Sequence, residues 1–170
     1  MKPSFVAVSV GTLALCGLFA TSLVHAATTG LVTATVTAQN VSVSVADGTV
    51  TYGTVALSGT RDTTSSGVND SQTATNDGNV AEDLTIKGAD TTAWTISGTA
   101  IGANVYMHKF CTATCDTTPT WTPLTTSYQS LATNVAAAGT STFDLQLLAP
   151  SSSASYTAQS VDVTVMAAAH

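Results

Sequence analysis

The chain has 170 residues, of which 44% are apolar and only 8% charged, with a formal net charge of −6 at pH 7. Four Lys and Arg stand against ten Asp and Glu, so no basic cluster exists to neutralise phosphates, which excludes nucleic acid and anionic lipid surfaces as partners. Val, Ile, Thr and Tyr recur throughout, and such residues favour pleated, half-buried surfaces.

Met1 to Ala26 reads as a secretory signal peptide. Lys2 supplies the positive charge, Phe5 to Ala20 the apolar core, and Val24-His25-Ala26 the small-residue exit, so Ala27 is the expected first mature residue. The apolar run is short for a membrane span of about 20 residues. Cys16 follows the bulky Leu15, which does not suit a lipidation site. No second stretch of spanning length follows, so no membrane span is expected in the mature form. The expectation is a secreted protein, extracellular or held at the cell surface by non-covalent contacts. Residues 27–170 suit a single domain with a proper core, and keep three basic residues (Arg61, Lys87 and Lys109).

Leu31 to Ala46 is the most regular segment. Val32, Ala34, Val36 and Ala38 alternate with Thr, and Val41, Val43 and Val45 alternate with Ser. The apolar parity changes at Gln39-Asn40, which requires a β-bulge or a break between two strands. Asp47-Gly48 is a turn, and Val50 to Leu57 a short strand kinked at Gly53. Ser58 to Asp70 reads as a surface loop, and Ser71 to Thr75 as an edge strand. After the turn Asn76-Asp77-Gly78-Asn79, Val80 to Lys87 is a strand with Leu84 and Ile86 on one face. Trp94 and Ile96 alternate in the next strand, and Tyr106, His108 and Phe110 in the one after. Tyr128 to Val135 reads as an edge strand or an irregular piece. Thr142 to Leu148 turns Phe143, Leu145 and Leu147 inward, and Ala158 to Ala167 does so with Val161, Val163 and Val165. About nine or ten short strands separated by turns predict an all-β fold: one antiparallel β-sandwich, jelly-roll or Ig-like.

Cys111 and Cys115 are the cysteines left after cleavage, and an isolated pair in an exported chain predicts a disulfide. The closed loop is short, so the bridge contributes about 2 kcal/mol. A CxxxC metal half-site is the alternative, with only His108 nearby, whereas zinc wants four ligands.

Groups for catalysis are scarce. His108 is the one internal histidine of the mature chain, and a half-buried imidazole bonded to a backbone group is expected there. No Gly-x-Ser-x-Gly elbow and no phosphate loop occur. Glu82 and Asp83 are neighbours in a strand and point to opposite faces, which does not suit glycosidase chemistry. No enzyme is expected; a secreted hydrolase is the alternative least served by these residues. No cofactor is expected, Ca²⁺ being the one candidate: Asp77 and Asn79 form the best cluster of hard oxygens, although Asx residues occupy turns for their own hydrogen bonds. Trp94 and Trp121 are the candidates for stacking on sugar rings, in competition with a core role.

The run Asn76-Asp77-Gly78-Asn79-Val80-Ala81-Glu82-Asp83-Leu84-Thr85-Ile86, followed by Trp94-Thr95-Ile96, resembles secreted bacterial surface β-sandwich proteins of the WxL-like and TasA/camelysin-like kind. The resemblance covers Thr33 to Ala167 in general pattern. It implies a non-enzymatic cell-surface or matrix role and, for the TasA-like proteins, assembly into fibres by donation of an N-terminal strand. Trp94 is followed by Ile96, and Trp121 by Pro123-Leu124; both depart from Trp-x-Leu, so no binding residues carry over. The expected function is a structural or surface subunit that self-associates by N-terminal strand addition, the alternative being a module that binds glycan or cell wall.

Overall fold

The computed structural model describes residues 29–170, and the expected signal peptide Met1–Ala26 lies outside them. The chain divides into two units, Met1–Val36 and Thr37–His170. Of the first, the described residues 29–36 are exposed and belong to no strand.

The second unit is all-β, with ten strands in two sheets and no helix among the described residues. They are β1 (Val43–Ala46), β2 (Thr60–Asp62), β3 (Gln72–Asn76), β4 (Glu82–Gly88), β5 (Thr95–Ile96), β6 (Val105–Cys111), β7 (Thr122–Pro123), β8 (Gln129–Val135), β9 (Thr140–Leu148) and β10 (Val163–Ala169). The larger sheet has seven strands along the order β1-β3-β9-β6-β5, with β2 on β9 and β7 on β6; the smaller has three, in the order β10-β4-β8.

The period-two pattern decides which side chains enter the core. In β4, Leu84 and Ile86 are fully buried while Thr85 and Lys87 turn outward; in β9, Phe143, Leu145 and Leu147 are 2–5% exposed. β6 adds Tyr106 and Phe110, with Phe110 opposite Leu145 and His108 opposite Leu147. Each such apolar side chain contributes about 1.5–3 kcal/mol by leaving water. The Tyr106 hydroxyl donates to Ala89 O at 2.5 Å, which satisfies the one polar atom that this ring carries inward.

Several expectations are corrected. The parity change at Gln39-Asn40 is a break: regular pairing begins only at Val43, and residues 29–41 join no ladder. Val50 to Leu57 is not a strand, although Val50, Tyr52 and Val55 pack on the core, because no neighbouring strand supplies hydrogen bonds. The kink at Gly53 is present, with φ at +68°, a conformation glycine reaches at no steric cost. The loop Ser58 to Asp70 contains β2, whose Arg61 pairs with Leu147. Gln72–Asn76 is not an edge strand, since it runs between β1 and β9. Pairing is antiparallel except for β5, which lies parallel to β6 with Ile96 beside Tyr106.

Candidate functional site

The turn after β3 is built around Asn76, which is fully buried. Its Nδ2 donates to Val80 O and Val135 O, both at 2.8 Å, and its Oδ1 accepts the Gly78 N–H at 2.8 Å. Gly78 is required sterically: a Cβ there would stand 2.3 Å from Glu82 Oε1 and 2.5 Å from Asn40 O. The loop thus folds back over Glu82, a buried carboxylate whose Oε1 accepts the Ser42 N–H at 2.8 Å. Asp83, its neighbour, faces outward to His170 at 2.8 Å. The Asn134 N–H first, and His170 second, hold the Asp83 carboxyl below its ordinary range.

Asn79 uses both ends of its carboxamide on one stretch of chain. Its Oδ1 accepts the Asn40 N–H and its Nδ2 donates to Ala38 O, each at 2.8 Å. Asp77 meets the same stretch through its backbone, which donates to Ser42 O at 2.8 Å. The two residues singled out as calcium candidates therefore join a bracket that holds residues 38–42 against the turn. No group of three or more His, Cys, Asp or Glu side chains suited to a metal ion occurs among the described residues.

A second feature lies beyond that bracket. A cleft of about 1080 Å³ opens between residues 48–57 and 155–163, with Val165 of β10 extending the second wall and Phe143, Leu145 and Leu147 of β9 forming the floor. Both ends of the first wall are pinned. Gln72 Oε1 accepts the Gly48 N–H at 2.9 Å, and the Ser58 N–H donates to Pro150 O at 3.0 Å. Between them Val50, Tyr52 and Val55 pack on the core, and the Tyr52 hydroxyl and His108 Nε2 are hydrogen-bonded at 2.8 Å.

His108 departs from expectation, being 1% exposed and bonded to this tyrosine rather than to backbone. Its Nδ1 has no partner among the described residues. Burial lowers the imidazole to about 4, so it is neutral at pH 7. Burial likewise raises the Tyr52 phenol, with further help from Asp62, Asp70 and Asp144. Asp144 accepts hydrogen bonds from the Thr63 and Ser71 hydroxyls at 2.8 and 2.7 Å. The pairing of His108 with Tyr52 had no signal in the sequence, because 56 residues separate them.

Trp94 and Trp121 are not brought together. Trp94 lines the cleft and donates from Nε1 to Ser153 Oγ at 2.9 Å, whereas Trp121 is not part of the cleft. Tyr128 lies under Lys87, with Nζ 4.6 Å from the ring centre, and Tyr106 belongs to the core. The sulfurs of Cys111 and Cys115 are bonded at 2.13 Å, with Cα atoms 5.9 Å apart, in the loop that follows β6. No helix among the described residues is long and apolar enough to cross a membrane.

Comparison of the chain with protein-family profiles, with curated protein sequences and with solved structures finds no significant match.

Proposed function

We propose that this chain is an exported, non-enzymatic structural or cell-surface subunit that self-associates by adding its N-terminal strand to a neighbour. One observation carries the reading. Leu31, Val32 and Val36 are 93%, 89% and 96% exposed, in a segment whose apolar residues alternate with threonine and which joins no ladder among the described residues. An alternating apolar strand with unpaired N–H and C=O groups is a template for pairing with another chain. Main-chain hydrogen bonds then give affinity, and alternate side chains give register.

The bracket of Asn79 and Glu82 supports the same reading. It fixes residues 38–42 to the body, so the segment before them leaves from a defined point. Electron microscopy of the secreted material tests the proposal: fibres or regular layers are the expected result, and dispersed single particles at every concentration refute it.

A glycan-binding module is the second reading, favoured by Trp94 at the edge of the cleft. A glycan array with the mature protein separates the two. Binding that is lost in Trp94→Ala and kept without the N-terminal segment would favour the glycan reading.

A further inference from the structure

A strand that is donated needs a place to be received, and the cleft has the attributes of one. Its volume, about 1080 Å³, lies at the upper end of the roughly 300–1,000 Å³ of small-molecule pockets. Its two long sides are stretches of backbone, residues 48–57 and 155–163. A ligand lying between them runs beside both stretches of chain.

Many of the main-chain groups in those stretches are unpaired, although Ala56 O accepts the Gly59 N–H, the Ser155 N–H donates to Ser153 Oγ and Thr157 O accepts from Gln159 Nε2. Among the described residues, no N–H from Val50 to Leu57 donates a hydrogen bond, although Val50, Tyr52 and Val55 sit on the core. β10 pairs with β4 alone, so its other edge is open. The stretch leading to it offers no ladder either. Backbone donors and acceptors at the margin of an apolar floor are satisfied by water or by another strand. Only a strand also covers the floor.

The chain carries a segment of matching form. Val32, Ala34, Val36 and Ala38 occupy one face of an extended strand, with Thr33, Thr35 and Thr37 on the other. Eight residues from Leu31 to Ala38 extend about 26 Å, against at most about 33 Å for a ten-residue wall bent at Gly53. The segment carries no charge, so seating it on Phe143, Leu145 and Leu147 buries no ion.

We infer that the cleft is the receiving site for residues Leu31–Ala38 of a second copy of this chain, which lies between Val50–Leu57 and β10 and pairs with both. The inference rests on the strand-addition reading and adds where the strand goes. In that arrangement Val50–Leu57 becomes a strand bent at Gly53, and the three-stranded sheet β8-β4-β10 grows to five. Tyr52, through His108, keeps the first wall seated on the larger sheet.

The test uses the full mature chain carrying Val32→Lys and Val36→Lys, which blocks self-donation, together with a synthetic peptide of residues 29–40. Peptide binding is followed by fluorescence anisotropy, and amide hydrogen exchange is followed in the receiver. The expected result is saturable binding, with exchange slowed at least tenfold in Val50–Leu57 and in Val161–Val165 together. Binding with both walls still exchanging freely overturns the site and leaves strand addition standing. No binding, with the unsubstituted chain also monomeric, removes both. Protection of the walls by soluble oligosaccharides and not by the peptide makes the cleft a glycan site instead.

Discussion

Replacing Asn76 with Ala tests the turn from which the rest of the account is built. Asn76 is fully buried and makes three hydrogen bonds to backbone, two donated to Val80 O and Val135 O and one accepted from the Gly78 N–H. Alanine leaves three half-buried main-chain groups without partners. At about 1 kcal/mol each, the loss is about 3 kcal/mol, a large share of the roughly 5–15 kcal/mol that holds a domain folded. Equilibrium unfolding in urea, followed by tryptophan emission, measures it as a lowered midpoint with an unchanged slope. Asn76→Asp keeps the acceptor for Gly78 but turns an anion toward two carbonyl oxygens, so it costs at least as much at pH 7. Asn79→Ala is the control: its bonds to residues 38 and 40 are exposed, and it costs about 1 kcal/mol or less. A loss below about 1 kcal/mol for Asn76→Ala would show that the turn does not depend on this carboxamide.

Protonation of His108 is disfavoured in the folded state, where its imidazole titrates at about 4 instead of 6.5. The unfolded chain therefore binds the extra proton between those values, so the contribution of His108 to stability falls as pH drops from about 6.5 to 4, by about 3 kcal/mol at most, and changes no further below. His108→Gln removes that slope in urea midpoints measured across the range; an unchanged slope would contradict the buried neutral ring. Tyr52→Phe deletes the bond to His108 Nε2 and lowers stability by about 1 kcal/mol, read by thermal unfolding, and no change would show that the bond contributes nothing. Reducing the Cys111–Cys115 bridge lowers stability by about 2 kcal/mol, as the short loop dictates; loss of the whole fold on reduction would contradict this. His170→Ala changes the unfolding midpoint by no more than about 0.5 kcal/mol, since its contact with Asp83 is solvent-exposed.

How far the residues alone reveal the fold depends on where the hydrogen bonds come from. The segments with a buried and a solvated face, such as Glu82–Gly88 and Thr140–Leu148, announce themselves through Leu84 and Ile86 or Phe143, Leu145 and Leu147. Local pattern misleads where it is present but the neighbour is not. Val50–Leu57 alternates like a strand and packs like one, yet no strand lies beside it. The opposite happens at Thr60–Asp62, a polar stretch that pairs because β9 passes next to it.

The site is less legible for the same reason. A turn of Asn, Asp and Gly reads equally as a cation loop and as a structural bracket. Only the partners of Asn79, Ala38 and Asn40, distinguish the two, and they lie about 40 residues away. The two tryptophans invite pairing in one carbohydrate site, but the fold sends Trp94 to the cleft and Trp121 elsewhere. The cleft itself has no signature in composition, since its walls come from opposite ends of the domain.

The most direct measurement compares the mass in solution of the mature protein with and without Ala27 to Asn40, by light scattering over a range of concentrations. Strand addition predicts multimers that grow with concentration for the intact chain and monomers for the shortened one. Two monomers of the same state, at every concentration, would contradict it.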